Sequence, residues 1–143
     1  MRGNQIATID EKGRLKIPSI YRSEIEETNS GNEFFITSLK GDSVQIYPLS
    51  VWQETEDRLA KLPALNPTKK KFLDRTNYYG QLASIDKSGR ILIPALLRES
   101  ARMTGEVAVL GSLNYLEVWN HKRFIDRMKT QQFTDDDYAK LGI

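Results

Sequence analysis

The chain has 143 residues, with 21 Lys+Arg against 19 Asp+Glu, a formal net charge of +2, no cysteine and one histidine. That length suits one ordinary domain or two very small ones, and the composition excludes disulfides, cysteine nucleophiles and thiolate or histidine-cluster metal sites. No apolar run approaches the roughly 20 residues needed to span a bilayer, and no basic-then-apolar leader follows Met1, so a cytoplasmic globular chain with no cofactor is expected.

In chain order, residues 7–22 read ATIDEKGRLKIPSIYR and predict a strand, a tight turn, a strand and a short helix. Apolar positions at Ile9, Leu15 and Ile17 fix the core face on both sides of the turn. Pro18 falls where a first helical turn tolerates a missing N–H. Phe34-Phe35-Ile36 and Val44-Gln45-Ile46-Tyr47 predict two further strands. Ser50 with Gln53 predicts a capping box for a helix carrying Trp52, Leu59 and Leu62 and stopped before Pro63. Asn66-Pro67 opens a connecting helix that includes Lys69-Lys70-Lys71 and ends near Gly80.

The pattern then starts again. Residues 83–98 read ASIDKSGRILIPALLR and match 7–22 without gaps at an offset of 76, with eight identities in sixteen positions. Those identities include Asp10/Asp86, Gly13/Gly89, Arg14/Arg90, Pro18/Pro94 and Arg22/Arg98. Ile85, Ile91 and Ile93 repeat the core face. Val107-Ala108-Val109 and Leu116-Glu117-Val118-Trp119 repeat the later strands, and Asn120 caps a helix through Phe124, Ile125 and Met128. The offset is now 72, so the first copy carries about four extra residues, expected at 29–32 or 40–43. The organisation is therefore a first repeat at 1–62, a helical connector at 63–79, a second repeat at 80–130 and a tail at 131–143. A unit this small cannot close its own core, which predicts two halves intertwined about a pseudo-twofold axis. The tail, with Asp135-Asp136-Asp137 among Phe133, Tyr138, Leu141 and Ile143, is expected to be a frayed or packed terminus, or a protein-contact peptide.

The repeated turn is the candidate site. Asp10 and Asp86 can accept backbone N–H bonds across it, Gly13 and Gly89 supply a positive φ, and Arg14 and Arg90 follow at the hairpin edge. A turn stabiliser has no need of that arginine. It either pairs with a carboxylate between the halves or contacts an anion. Residues 1–22 carry a net +3 and residues 69–98 a net +5, which leaves −6 for the rest. Such segregation fits a basic nucleic-acid face on an acidic body, while Lys69–Lys71 alone also fits a solvated helix face. An enzymatic dyad of the aspartic-protease kind is disfavoured, because glycine follows each Asp by three residues rather than two. His121, beside Lys122 and Arg123, is expected on the exposed surface.

The duplicated Asp-x-x-Gly-Arg motif, Asp10-Glu11-Lys12-Gly13-Arg14 and Asp86-Lys87-Ser88-Gly89-Arg90, together with the Asn66-Pro67 helix start, resembles the MraZ family over about residues 1–130. Members of this family are bacterial transcriptional regulators with two AbrB-like (SpoVT-AbrB) domains in one chain. The resemblance implies an α+β, mainly β fold: a duplicated swapped-hairpin β-barrel formed by the two halves, with flanking helices. It also implies a ring-like homo-oligomer that binds double-stranded DNA at direct repeats with guanine runs, upstream of its own gene at the head of the cell-division and cell-wall operon. The implied DNA contacts are Arg14, Lys12, Arg90, Lys87 and, at the N-terminal edge, Arg2. Asp10, Gly13, Asp86 and Gly89 are implied to hold the turns. A bidentate arginine suits guanine O6 and N7, whereas lysines suit phosphates. Ser88 stands where the first copy has Lys12, so the turns are expected to read DNA unequally. Leu92 in place of Lys16 predicts a more buried outer face in the second copy, with a neighbouring subunit as one way of covering it. The competing reading is an AbrB-type antitoxin that binds DNA and neutralises a toxin.

Overall fold

The computed structural model describes residues 1–28 and 31–143. The first copy runs β1 (Asn4–Thr8), β2 (Arg14–Lys16), α1 (Ser19–Glu26), β3 (Glu33–Thr37), β4 (Val44–Pro48) and α2 (Leu49–Ala60). After α3 (Pro67–Tyr78), the second copy repeats that order as β5 (Gln81–Ser84), β6 (Arg90–Leu92), α4 (Ala95–Ser100), β7 (Glu106–Ser112), β8 (Tyr115–Asn120) and α5 (His121–Thr130). A last helix, α6 (Asp135–Leu141), closes the chain. The fold is α+β, with six helices and only antiparallel strand pairings among the described residues.

The strand order β1-β7-β8-β4-β3-β5 is a palindrome under exchange of the halves. The first strand of each copy leaves its own hairpin and pairs with the third strand of the other: Ile6 lies opposite Ala108 in β1·β7, and Phe35 opposite Leu82 in β3·β5. The sheets of the two copies join through β4·β8, where Ile46 faces Leu116. β2 and β6 form a separate two-stranded ladder. Among the described residues these ladders make an open six-stranded sheet plus one ribbon, and no ladder closes them into a barrel.

Alternation explains why the halves cannot be separated. Leu15, Ile17, Ile36, Ile46, Ile91, Ile93, Val109 and Leu116 are essentially inaccessible and belong to one apolar cluster drawn from both copies. Each such side chain contributes about 1.5–3 kcal/mol on burial, so either half alone would lose much of its stabilisation. Ile85, the counterpart of Ile9, is only partly buried against this cluster.

Several local expectations change. Pro18 and Pro94 sit one residue before α1 and α4, as N-caps rather than inside the first turn. Ser50 forms no capping box: α2 already starts at Leu49, and Ser50 Oγ donates to the Thr28 carbonyl at 2.6 Å. Asn66 and Asn120 do cap, accepting from the Lys69 N–H at 3.1 Å and the Arg123 N–H at 3.1 Å. α1 has 8 residues against 6 in α4, so part of the first copy's extra length is helix, while residues 29 and 30 of the expected insertion lie outside the described residues. The tail is not frayed, since Thr134 and Asp137 cap α6 reciprocally. Its apolar side chains are exposed. His121 is half-buried, with Nδ1 2.5 Å from a Glu106 carboxylate oxygen. No helix among the described residues is long and apolar enough to cross a membrane.

Candidate nucleic-acid interface

Each turn is built by its aspartate. Asp10 Oδ1 accepts the N–H groups of Lys12 and Arg14, both at 2.9 Å. Asp86 Oδ1 accepts those of Ser88 and Arg90, both at 2.9 Å. The same loop closes on the backbone, with the Gly13 and Gly89 N–H groups bonded to the Asp10 and Asp86 carbonyls. Gly13 and Gly89 take φ of +82° and +80°, the left-handed region where a Cβ is strained. The N–H of Arg14 holds the Asp10 carboxyl below its ordinary value against some desolvation, and the N–H of Arg90 with the Ser88 hydroxyl does the same for Asp86.

The ribbon sets the turns in relation to each other. Arg14 faces Leu92, Leu15 faces Ile91, and Lys16 faces Arg90. The ladder is extended by the Ile17 N–H to the Gly89 carbonyl and the Ile93 N–H to the Gly13 carbonyl, at 2.9 and 3.0 Å. Four residues of strand therefore separate Gly13 from the register of Gly89, about 13 Å. Leu15 and Ile91 point into the core with no exposure, so the period of two sends Arg14, Lys16, Arg90 and Leu92 to the opposite, outer face. Lys16 and Arg90 stand directly across from each other, and like charges so placed destabilise a ladder. An anion on that face would relieve the repulsion.

The two arginines are held differently. Arg14 Nε bonds Asp10 Oδ2 at 2.9 Å, so the carboxylate partner is in its own turn rather than across the halves. Its two terminal NH2 groups make no hydrogen bond among the described residues and present an open fork. Arg90 instead donates from Nη1 to Ser88 Oγ at 3.0 Å, and Ser88 in turn donates to Asp86 at 2.8 Å. Lys12 and Lys87 are exposed at the turn tips.

Arg2 does not join this group. Its backbone packs on Gly111, and the extended chain from Gly3 to Ile9 carries it about 20 Å from the first turn. Lys69–Lys71 are also elsewhere, on α3. That helix docks by Phe72 against Trp52 and by its Thr76 carbonyl accepting from Thr37 Oγ1. There Lys70 pairs with Asp74, and Lys69 donates to the Leu62 carbonyl. The segments that do gather, 10–22 and 86–98, carry a net +4. Leu92 is half exposed and Lys16 is also exposed, so within a single chain the outer face at Leu92 is not covered.

Two residues of the site escape a reading by turn motif. Arg98 of α4 lies over Gly13, where an added Cβ would come within 2.4 Å of its side chain, and Arg22 of α1 lies over Gly89 at 2.7 Å. Each turn is thus backed by an arginine from the other copy. The one signal for them in the sequence is their identity at the end of the repeat.

A family model described as "MraZ protein, putative antitoxin-like" matches residues 1–75 and 81–140. The chain belongs to the MraZ family. It is 50% identical over 141 residues to a protein of Acidobacterium capsulatum, covering 99% of this chain and 96% of that one. Identity to a protein of Koribacter versatilis is 45% over the same shares. To one of Histophilus somni it is 33% over 123 residues, 86% of this chain and 81% of the relative. All three relatives carry the name transcriptional regulator MraZ. Each matched segment contains one of the two Asp-x-x-Gly-Arg turns, so the family match spans the whole two-turn arrangement.

Proposed function

We propose that this MraZ family chain is a DNA-binding transcriptional regulator and not an enzyme, in which the outer face of the β2·β6 ribbon meets double-stranded DNA. The observation that carries this reading is the placement of Arg14, Lys16 and Arg90 on one exposed face, flanked by two rigid turns. Arg14 is the base-reading residue: Asp10 clamps its Nε, and the remaining fork has the geometry for guanine O6 and N7. Lys12, Lys87 and Arg90 contact phosphates, which position the duplex without specifying sequence. Asp10, Gly13, Asp86 and Gly89 keep the turns in shape, and Arg2, at the far end of β1, is a peripheral phosphate contact.

The finer reading follows the family resemblance. The two repeats (1–62 and 80–130) joined by the connector (63–79) are a duplicated AbrB-like swapped-hairpin barrel, and the exchange of β1 and β5 between the copies supports it. The targets are direct repeats with guanine runs upstream of the cell-division and cell-wall operon, including the chain's own gene, bound by a ring-like homo-oligomer at the cytoplasmic nucleoid. Few reading groups per chain favour such an assembly, because linked sites raise effective concentration. The alternative, an antitoxin with a toxin-binding tail, draws on the family's description and on the exposed apolar side chains of α6. A toxin gene adjoining this one would favour it.

A fluorescence-anisotropy titration with a guanine-run repeat tests the site. Arg14→Ala is expected to abolish preference for that repeat over scrambled DNA. Lys87→Ala should weaken both alike, with a log–log salt slope shallower by about 0.9. Wild-type affinity and preference in Arg14→Ala would refute the assignment.

A further inference from the structure

The two ends of the ribbon differ in what stands beside each arginine. The ladder's hydrogen bonds fall at Gly13·Ile93 and Ile17·Gly89. Alternation along an antiparallel pair then leaves Arg14·Leu92 and Lys16·Arg90 as non-hydrogen-bonded pairs, with Cα atoms about 4.5 Å apart and side chains side by side. At one end a cation accompanies Arg90. At the other an aliphatic side chain accompanies Arg14, and half of it is exposed.

A single exposed leucine is ordinary on a protein surface. This one is set apart by its place, on the outer face and next to the open guanidinium fork of Arg14. The inner face is already filled by Leu15 and Ile91. Leu92 spares Arg14 the like-charged neighbour that Arg90 has in Lys16. It also puts an apolar surface within about one base step of the arginine's target, since stacked base pairs lie roughly 3.4 Å apart. Phosphates offer a leucine nothing. In the major groove the base edges carry donors, acceptors and one apolar group, the C5 methyl of thymine.

We infer that Leu92 is a specificity-determining residue, packing on the C5 methyl of a thymine next to the guanine read by Arg14. This rests on the base-reading role proposed above for Arg14 and adds a second base, with the residue that reads it. The departure from Lys16 at this position of the repeat then has a reason. A methyl contact serves the end that reads, and a charge serves the end that clamps.

Deoxyuridine differs from thymidine by that methyl alone, so the contact is testable with the protein unaltered. Guanine-run duplexes are made with T·A or U·A at the pairs flanking the run, in both orientations. The full-length chain is titrated against each by competition fluorescence anisotropy. At one position uracil is expected to weaken binding about three- to fivefold, the effect of exposing roughly one methyl. In Leu92→Ala that ratio should fall to about one, with affinity for scrambled DNA and assembly mass by light scattering as in the wild type. Leu92→Lys should lose the ratio as well, while binding scrambled DNA more tightly. A wild type that prefers the guanine run yet binds thymine and uracil alike at every position overturns the inference and leaves the role of Arg14 standing. A ratio that survives Leu92→Ala overturns it too, as does a changed assembly mass in that variant, which would make Leu92 a subunit contact. Absence of any guanine preference in the wild type would overturn this inference together with the reading on which it rests.

Discussion

The two turns share a backbone and differ in what their arginines are tied to. In the first, Asp10 both shapes the loop and clamps Arg14 by Nε. In the second, Asp86 shapes the loop, but Ser88 stands between it and Arg90. The same local fold therefore offers one preorganised guanidinium fork and one held by a neutral hydroxyl. A guanidinium paired with a carboxylate is held more strongly than one bonded to a neutral hydroxyl, so under the proposed function the first turn would read a base and the second hold a phosphate. A repeat can keep its scaffold while its copies divide their labour.

The scaffold should be indifferent to that division. Leu15 and Ile91 face each other at the centre of the ribbon with no exposure, so Leu15→Ala and Ile91→Ala should each cost about 2–5 kcal/mol in urea unfolding. A large difference between the two would mean that the halves do not share their core equally. The reading groups should diverge. Arg14→Ala is expected to lose the preference for a guanine-run site, and Arg90→Ala to weaken all duplexes while leaving the preference intact, by competition titration. Equal loss of preference would erase the distinction.

Smaller effects sharpen it further. Gly13→Ala and Gly89→Ala should each destabilise by about 1–2 kcal/mol through their positive φ in thermal unfolding. Gly13→Ala should be the worse, because Arg98 approaches more closely there than Arg22 approaches Gly89. The least effect is expected from the carboxyls. Asp10 and Asp86 both titrate below their ordinary value of 3.8 in the folded chain. Their stabilisation is therefore complete above that value and is lost as pH falls through the lowered folded value. Asp10→Asn and Asp86→Asn should each flatten the acid limb of a stability-against-pH curve below about pH 4, with little change in its shape near neutrality.

Much of the site was legible in the residues. Asp-x-x-Gly-Arg names its own turn, because the short carboxylate, the positive φ and the hydrogen bonds are all local. What was illegible depends on which strands meet. Net charge counted by segment grouped Lys69–Lys71 with the turns, yet α3 is held elsewhere by Phe72 and Thr76. Ser50 resembles a cap in a window of four residues, but α2 begins before it at Leu49, and its hydroxyl donates to the Thr28 carbonyl, far back in the chain. Arg22 and Arg98 look like ordinary helix residues until the exchanged halves set each on the opposite glycine.

The sequence by itself determined the duplication, the core face of each hairpin and the shape of both turns, since these rest on interactions within a few residues and on a period of two. Only the tertiary structure decided that β1 and β5 cross to the other copy, that Arg14, Lys16 and Arg90 share one face, and that Leu92 and α6 are left uncovered. Those facts depend on pairing between residues far apart in the chain, from Ile36 with Gln81 to Asn4 with Leu110, where register is chosen by the packing of the whole core rather than by any local preference.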